Sequence, residues 1–201
     1  NCFMEQANLT NTSLIGANFS GAILARTNFE KSNCSQANFD KANLGACHCH
    51  GTLFDGANFN ESKLSKTEFI GASFIGANID QPEALEIVLQ DCNFDSSTIK
   101  GLPFLELKMK NITFRNAQLE TCNFVNSELS HCNLDNAYLP STAWANTSIN
   151  STSFIAADMT SNCFVSSEDE APCTFDNLNF SRAILDKANL QNLALSRTLF
   201  T

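Results

Sequence analysis

The chain has 201 residues, 43% of them hydrophobic, with 21 acidic against 12 basic side chains and a formal net charge of −9. Its apolar runs are only a few residues long, far below the roughly 20 that span a bilayer as a helix, and no charged-then-apolar leader opens it, so no membrane association is expected. The acidity argues against phosphate-backbone contact, which asks for a basic stripe, so no direct nucleic-acid binding is expected either.

From Met4 onward every fifth residue is apolar: the 33 positions from Met4 to Phe164 hold 13 Phe, 10 Leu, three Ile, three Met, two Cys, one Trp and one Ala. Two residues before each of these, 27 of the 33 are Ala, Cys, Ser or Thr, the exceptions being Pro82, Ile87, Leu102, Leu107, Ile112 and Asn162. Asn stands between the two eleven times. A period of five fits neither the 3.6 of a helix nor the 2.0 of a long strand. It fits a coil with flat sides, in which each five-residue unit forms one side and residues two apart on extended backbone both face inward. The large residue then fills the centre and the small one fits beside it, so a narrow core closes without voids.

Units such as Ala7-Asn8-Leu9-Thr10-Asn11, Ala17-Asn18-Phe19-Ser20-Gly21 and Ala37-Asn38-Phe39-Asp40-Lys41 resemble the pentapeptide-repeat family. The resemblance covers nearly the whole chain. It implies an all-β fold, a right-handed quadrilateral β-helix with about 20 residues per coil, hence about ten coils over residues 1-201 as a single domain. Stacked at ~4.8 Å per coil, these would make a rod of roughly 48 Å.

Three stretches depart from the pattern. Residues 80-91 keep count but lose the consensus, and Pro82-Glu83-Ala84-Leu85-Glu86 admits a short helical excursion. Over 101-113 the oversized Leu102, Leu107 and Ile112 should widen the coils. After Phe164 the register slips by one and resumes at Phe175, which places a loop at 165-174. Repeat arrays need capped ends, and since the sequence shows none we expect a segment of a longer protein.

Cys47-His48-Cys49-His50 puts four potential ligands in four residues, but in this register the cysteines face inward and the histidines outward, so the four cannot share one tetrahedral ion. No metal site and no cofactor is expected. Cys2, Cys92, Cys122, Cys132 and Cys173 fall on the small inward track and Cys34 on the large one, where free Cys packs as a small hydrophobe. None has an inward partner 20 residues away, so reduced thiols and an intracellular compartment are expected; Cys163 could reach Cys173 only across the loop. Asn-x-Ser/Thr triplets such as Asn8-Leu9-Thr10 follow from the repeat composition rather than from glycosylation. Ser130-His131-Cys132 suggests a nucleophile beside a base, yet Cys132 belongs to the core, so no catalytic residue is expected and the chain reads as a non-enzyme.

Function must then lie on the outer faces. Reading one side at 20-residue steps gives Leu85, Leu105, Val125, Ala145 and Val165, an apolar ridge of roughly 19 Å of the kind that marks an interface or lies under a flanking segment. Two other sides carry Asp55, Asp95, Asp135 and Asp176 on one and Asp40, Asp80 and Glu120 on the other, interrupted by Lys100 and Arg115.

Three functional readings stay open. The chain is similar to the pentapeptide-like β-helices of effectors that bacteria deliver into host cells, some joined to a HECT-like ubiquitin ligase; that resemblance implies a partner- or substrate-recognition domain acting on host proteins in the host cytoplasm. Its acidity is similar to that of gyrase-protecting members of the family, which implies a DNA mimic using the acidic tracks. A structural spacer is the third, because a fold does not fix a function.

Overall fold

A computed structural model describes residues 2–165, 174–191 and 193–201. Among the described residues there are short strands and no helix, so none is long and apolar enough to cross a membrane. The strands are β1 (Glu68–Ile70), β2 (Asn78–Asp80), β3 (Val88–Gln90), β4 (Thr98–Lys100), β5 (Pro103–Leu105), β6 (Lys108–Lys110) and β7 (Gln118–Glu120). They continue as β8 (Asn123–Val125), β9 (Glu128–Ser130), β10 (Ala143–Ala145), β11 (Ser148–Asn150), β12 (Cys163–Val165), β13 (Phe175–Asp176) and β14 (Leu195–Ser196).

Each strand pairs in parallel with the strand one coil away, as in Phe69↔Leu89, Ile79↔Ile99 and Phe104↔Phe124, 20 residues apart. Three sides of the coil thereby carry a seven-stranded sheet (β1-β3-β6-β9-β11-β13-β14), a four-stranded sheet (β5-β8-β10-β12) and a three-stranded sheet (β2-β4-β7). The fourth side is joined only by single bridges such as Ser73↔Asn93 and Asn93↔Thr113. The longest ladder, with seven strands, spans about six turns rather than the ten expected; before Glu68 the same 20-residue winding continues as isolated bridges back to Phe3↔Ile23. Across the register slip Ile149 pairs with Phe175 and Ser153 with Asn179, 26 residues apart, and Phe175↔Leu195 restores the step of 20. The loop expected there lies, apart from its end residues Val165 and Thr174, outside the described residues.

Two residues after each central position the chain turns through the left-handed region, at Gly56 (φ 65°) and Gly76 (φ 65°) but equally at Thr121 (φ 52°) and Ser141 (φ 56°). For a residue with a Cβ this conformation costs about 1–2 kcal/mol, and it persists because the ladders and the core on either side fix it. The helical excursion admitted at 82–86 does not occur: Glu83 bridges Lys63 and Ala84 stays in the core at 4% exposure, so the inward packing overrides the local preference.

Inside, the large residues form columns. Phe54, Phe74, Phe94 and Phe114 stack with successive ring centroids 5.1, 4.6 and 5.1 Å apart. A second column runs Phe104, Phe124, Trp144 and Phe164 at 4.5, 4.1 and 5.5 Å. The small inward residues do more than fit. Thr52 Oγ1 donates to the Phe29 carbonyl (2.8 Å), Thr67 Oγ1 to Leu44 (2.7 Å) and Ser127 Oγ to Phe104 (3.0 Å), each 23 residues back, and the thiols of Cys47 and Cys92 do the same to Leu24 and Phe69 at 3.0 Å. These donors tie neighbouring coils together inside the core, where an unpaired carbonyl would be costly. A void of about 10 Å³ lies beside Leu64, Phe74 and Phe94.

Candidate protein-binding surface

The apolar ridge is present but stepped. Leu105, Val125, Ala145 and Val165 are paired in register along β5, β8, β10 and β12. Val125 and Ala145 are half-buried, while Leu85, Leu105 and Val165 are 50%, 38% and 52% exposed. Leu85 does not continue the ladder. One coil earlier, Leu64 and Lys66 donate backbone hydrogen bonds to Glu83 and Leu85 at 2.7 and 2.8 Å; the corresponding bonds from Ala84 and Glu86 to Pro103 and Leu105 are missing among the described residues. On the adjoining side β3 and β6 meet only at Gln90↔Lys110. Pro103 has no N–H to give, and the oversized Ile87, Leu102 and Leu107 hold the two coils apart. The widening expected over 101–113 thus takes the form of an axial split. It leaves a groove of about 270 Å³ lined by Leu85, Glu86, Ile87, Leu105, Glu106 and Leu107.

The acidic tracks prove to be mostly internal fastenings. Where an Asn stands between the two inward residues, its side chain can cap the N–H two residues on, as Asn93 does for Asp95 and Asn133 for Asp135, both at 2.8 Å. On the fourth side Ser73, Thr113 and Ser153 replace that Asn, and the aspartate of the preceding coil takes over. Asp55 Oδ1 accepts from the Ile75 N–H (3.0 Å) and the Ser73 hydroxyl; Asp95 Oδ1 from the Arg115 N–H (2.9 Å) and the Thr113 hydroxyl; Asp135 Oδ1 from the Ile155 N–H (2.9 Å) and the Ser153 hydroxyl. A coil bearing Asp, capped by Asn93 or Asn133 but with Leu53 in that place before Asp55, alternates with a Ser/Thr coil that receives it, which accounts for aspartate at every second coil. Asp176 does not share that side as expected: the slip moves it into the seven-stranded sheet, opposite Asn150, where it is paired with Arg197. On the other track Asp40 accepts from Asn60 Nδ2 at 2.7 Å, and Lys100 pairs with Glu120 at 3.0 Å, with Asp80 beside it in register.

Burial pushes the Asp95 carboxyl up, but the Arg115 guanidinium, the Thr113 hydroxyl and the Arg115 N–H together bring it below the ordinary carboxylate value. A carboxylate with a lowered folded-state pKa adds stability that is present above its unfolded value of about 3.9 and lost as pH falls through the folded one. Replacing Asp95 by Ala should therefore cost about 1.5–3 kcal/mol at pH 7, the range for hydrogen bonds to a charged group. Urea midpoints for wild type and Asp95→Ala should converge as the pH is lowered below 3; a gap as wide there as at pH 7 would contradict the clasp.

The cysteines sit as the register requires. Cys34, Cys47, Cys49, Cys92, Cys122 and Cys132 are buried free thiols, and Cys2 and Cys163 are half-buried and free. Burial raises Cys34 and Cys132 to about 11 and Cys47 and Cys122 to about 12, so these thiols stay protonated near neutral pH and are poor nucleophiles. The Cys163–Cys173 pairing lies outside the described residues. Cys132 faces the core while His131 stands at an exposed corner with φ 56°, so the two cannot act as a nucleophile and its base. His48 and His50 face outward, as read from the sequence, but a residue the sequence reading did not single out joins them: Glu68, opposite His48 one coil on, brings Oε2 to 2.9 Å from His48 Nδ1 and 3.1 Å from His50 Nε2. Hydrogen bonding from His48, against a small desolvation cost, and from His50 holds Glu68 below the ordinary carboxylate range.

A family model described as pentapeptide repeats matches this chain in eight copies, over residues 1–24, 7–45, 42–81, 108–140 and 173–201. The chain is a member of the pentapeptide repeat family. Residues 82–107, outside those matches, are the ones at which this pentapeptide-repeat solenoid opens its groove. Among solved structures it is similar to HetL, a pentapeptide repeat protein involved in heterocyst differentiation regulation from the cyanobacterium Nostoc sp. strain PCC 7120, at 18% identity and TM-score 0.54, covering 96% of this chain and 89% of that one. It is also similar to QnrB1, a plasmid-mediated fluoroquinolone resistance protein, at 15% identity and TM-score 0.43, covering 84% and 91%. A third is a pentapeptide repeat protein of the Arabidopsis thaliana thylakoid lumen, at 14% identity and TM-score 0.22, covering 67% and 70%. At these identities the likeness to HetL speaks for the fold. No curated protein matches the chain.

Proposed function

We propose that this pentapeptide-repeat solenoid is a non-catalytic recognition module that holds a protein partner along the ridge from Leu85 to Val165. The observation that carries this reading is the split between the coils of Leu85 and Leu105, where a groove walled by Leu85, Ile87, Leu105 and Leu107 opens. Its walls are apolar and its rim carries Glu86 and Glu106 on a chain of net charge −9. The fitting partner segment is extended, apolar and flanked by Lys or Arg, with backbone groups able to meet those left unpaired at the split. In its finer form the partner is a host protein and the solenoid is the recognition part of a bacterial effector, with any ligase chemistry in another domain. The free thiols favour a reducing, intracellular site of action.

The DNA-mimic reading loses its support, because Asp55, Asp95 and Asp135 are engaged in the fastening of the coils. The test is a binding experiment with Leu105→Asp plus Val125→Asp. We expect the folded double variant to lose the proteins that wild type retains from a host-cell extract, and a variant on the opposite side of the coil, Ile75→Asp, exposed at 43%, to keep them. Equal retention by the double variant removes the ridge from consideration.

A further inference from the structure

His48 and His50 are two apart on extended backbone, so both project outward on one face, and the bridge His48↔Glu68 fixes the carboxylate of the next coil directly opposite. One ligand atom from each of the three residues lies within 4.8 Å of the others. The imidazole rings meet at 87° with centroids 6.1 Å apart, straddling the carboxylate. We propose that His48, His50 and Glu68 form a surface site for a divalent transition-metal ion of the zinc type, pinning two adjacent coils together.

The geometry and the donor chemistry both support this. Nitrogen and oxygen ligands about 2 Å from a tetrahedral ion stand about 3.3 Å from one another. The His48–Glu68 and His50–Glu68 separations of 2.9 and 3.1 Å are already close to that edge, and the imidazole nitrogens lie within 4.8 Å of each other, so an ion would take the place of two hydrogen bonds. The anchoring is prepaid by the ladder: Lys31 N donates to the His50 carbonyl and Glu68 N to the Cys47 carbonyl. Two imidazoles and one carboxylate suit zinc, nickel or copper(II) better than magnesium or calcium, which prefer all-oxygen shells. The neighbouring thiols take no part, since Cys47 and Cys49 point into the core. The three residues are partly exposed, so the fourth position is open to water or to a side chain from a partner.

The test is zinc titration of the full chain, first stripped with a chelator, against a colorimetric zinc indicator, with cobalt(II) as a spectroscopic probe. One equivalent should bind to wild type; His50→Asn and Glu68→Gln should each weaken it tenfold or more, and His48→Asn plus His50→Asn should abolish it. Circular dichroism verifies that the variants keep the β-solenoid, and Glu68→Gln, which keeps side-chain shape, guards against a folding artefact. Cobalt should give weak visible bands without thiolate charge transfer. No zinc at one equivalent, equal zinc in the folded double-histidine variant, or a thiolate band would each overturn the site and leave the triad as an ion pair alone.

Discussion

Phe94→Ala should cost about 3–5 kcal/mol, the range for emptying a large aromatic site in a packed core. Phe94 is 2% exposed and lies face to face with Phe74 at 4.6 Å and 4° and with Phe114 at 5.1 Å and 15°. Removing it breaks two stacks, each worth about 0.5–1.5 kcal/mol beyond area burial. Typical domains hold only about 5–15 kcal/mol in reserve, so the variant should unfold at a much lower urea concentration. Coils contact only their neighbours in a solenoid. Amide exchange should therefore quicken first around Phe74 and Phe114, with Phe29 and Phe154 slower to respond. Uniform loss of protection from Phe29 to Phe154, or a midpoint unchanged from wild type, would show that the column is not the unit of stability.

That column was readable from the sequence because its signal is simple: one large apolar residue every five, with Phe54, Phe74, Phe94 and Phe114 at one 20-residue spacing. The small inward track was read for size alone. The structure adds a polar demand, since Thr52, Thr67 and Cys92 each supply a donor to a carbonyl 23 residues back. Inward packing sets the volume, but a coil's unpaired carbonyl sets the chemistry, and only the stacking of coils reveals which carbonyl it is.

The outer face was less legible for the same reason. Asp55, Asp95 and Asp135 looked like a charge pattern aimed outward; the sign that they are fasteners is Ser73, Thr113 and Ser153, 18 residues later in place of Asn. Glu68 escaped the reading of His48 and His50 because its nearness depends on the 20-residue offset across the side. The split at Leu85 and Leu105 follows from the oversized Leu102 and Leu107, which the sequence reading expected to widen the coils, and from Ile87 and Pro103, whose part it did not single out. Whether excess volume swells a coil or parts it from its neighbour depends on how many backbone bonds resist, and there Pro103 had already removed one.

The one polar residue on the small track that is larger than Thr supplies the second large effect. Asn162 is wholly buried; its Oδ1 accepts from Trp144 Nε1 and its Nδ2 donates to the Leu139 carbonyl, both at 2.7 Å. Asn162→Leu keeps the volume but strands an indole N–H and a carbonyl, each worth about 1–3 kcal/mol when buried without a partner, so we expect a loss of about 3 kcal/mol. Trp144→Phe should cost about 2 kcal/mol by leaving Asn162 Oδ1 unmet beside a smaller ring. Trp144→Phe with Asn162→Thr restores the arrangement used elsewhere, a Phe column beside a hydroxyl that donates 23 residues back, as Thr147 does to Phe124 at 3.1 Å. The double variant should then lie within about 1.5 kcal/mol of wild type, well short of the sum of the singles, whereas unlinked sites add to within about 0.5 kcal/mol. Additive losses in urea denaturation would mean that Trp144 and Asn162 are held by their separate surroundings rather than by each other.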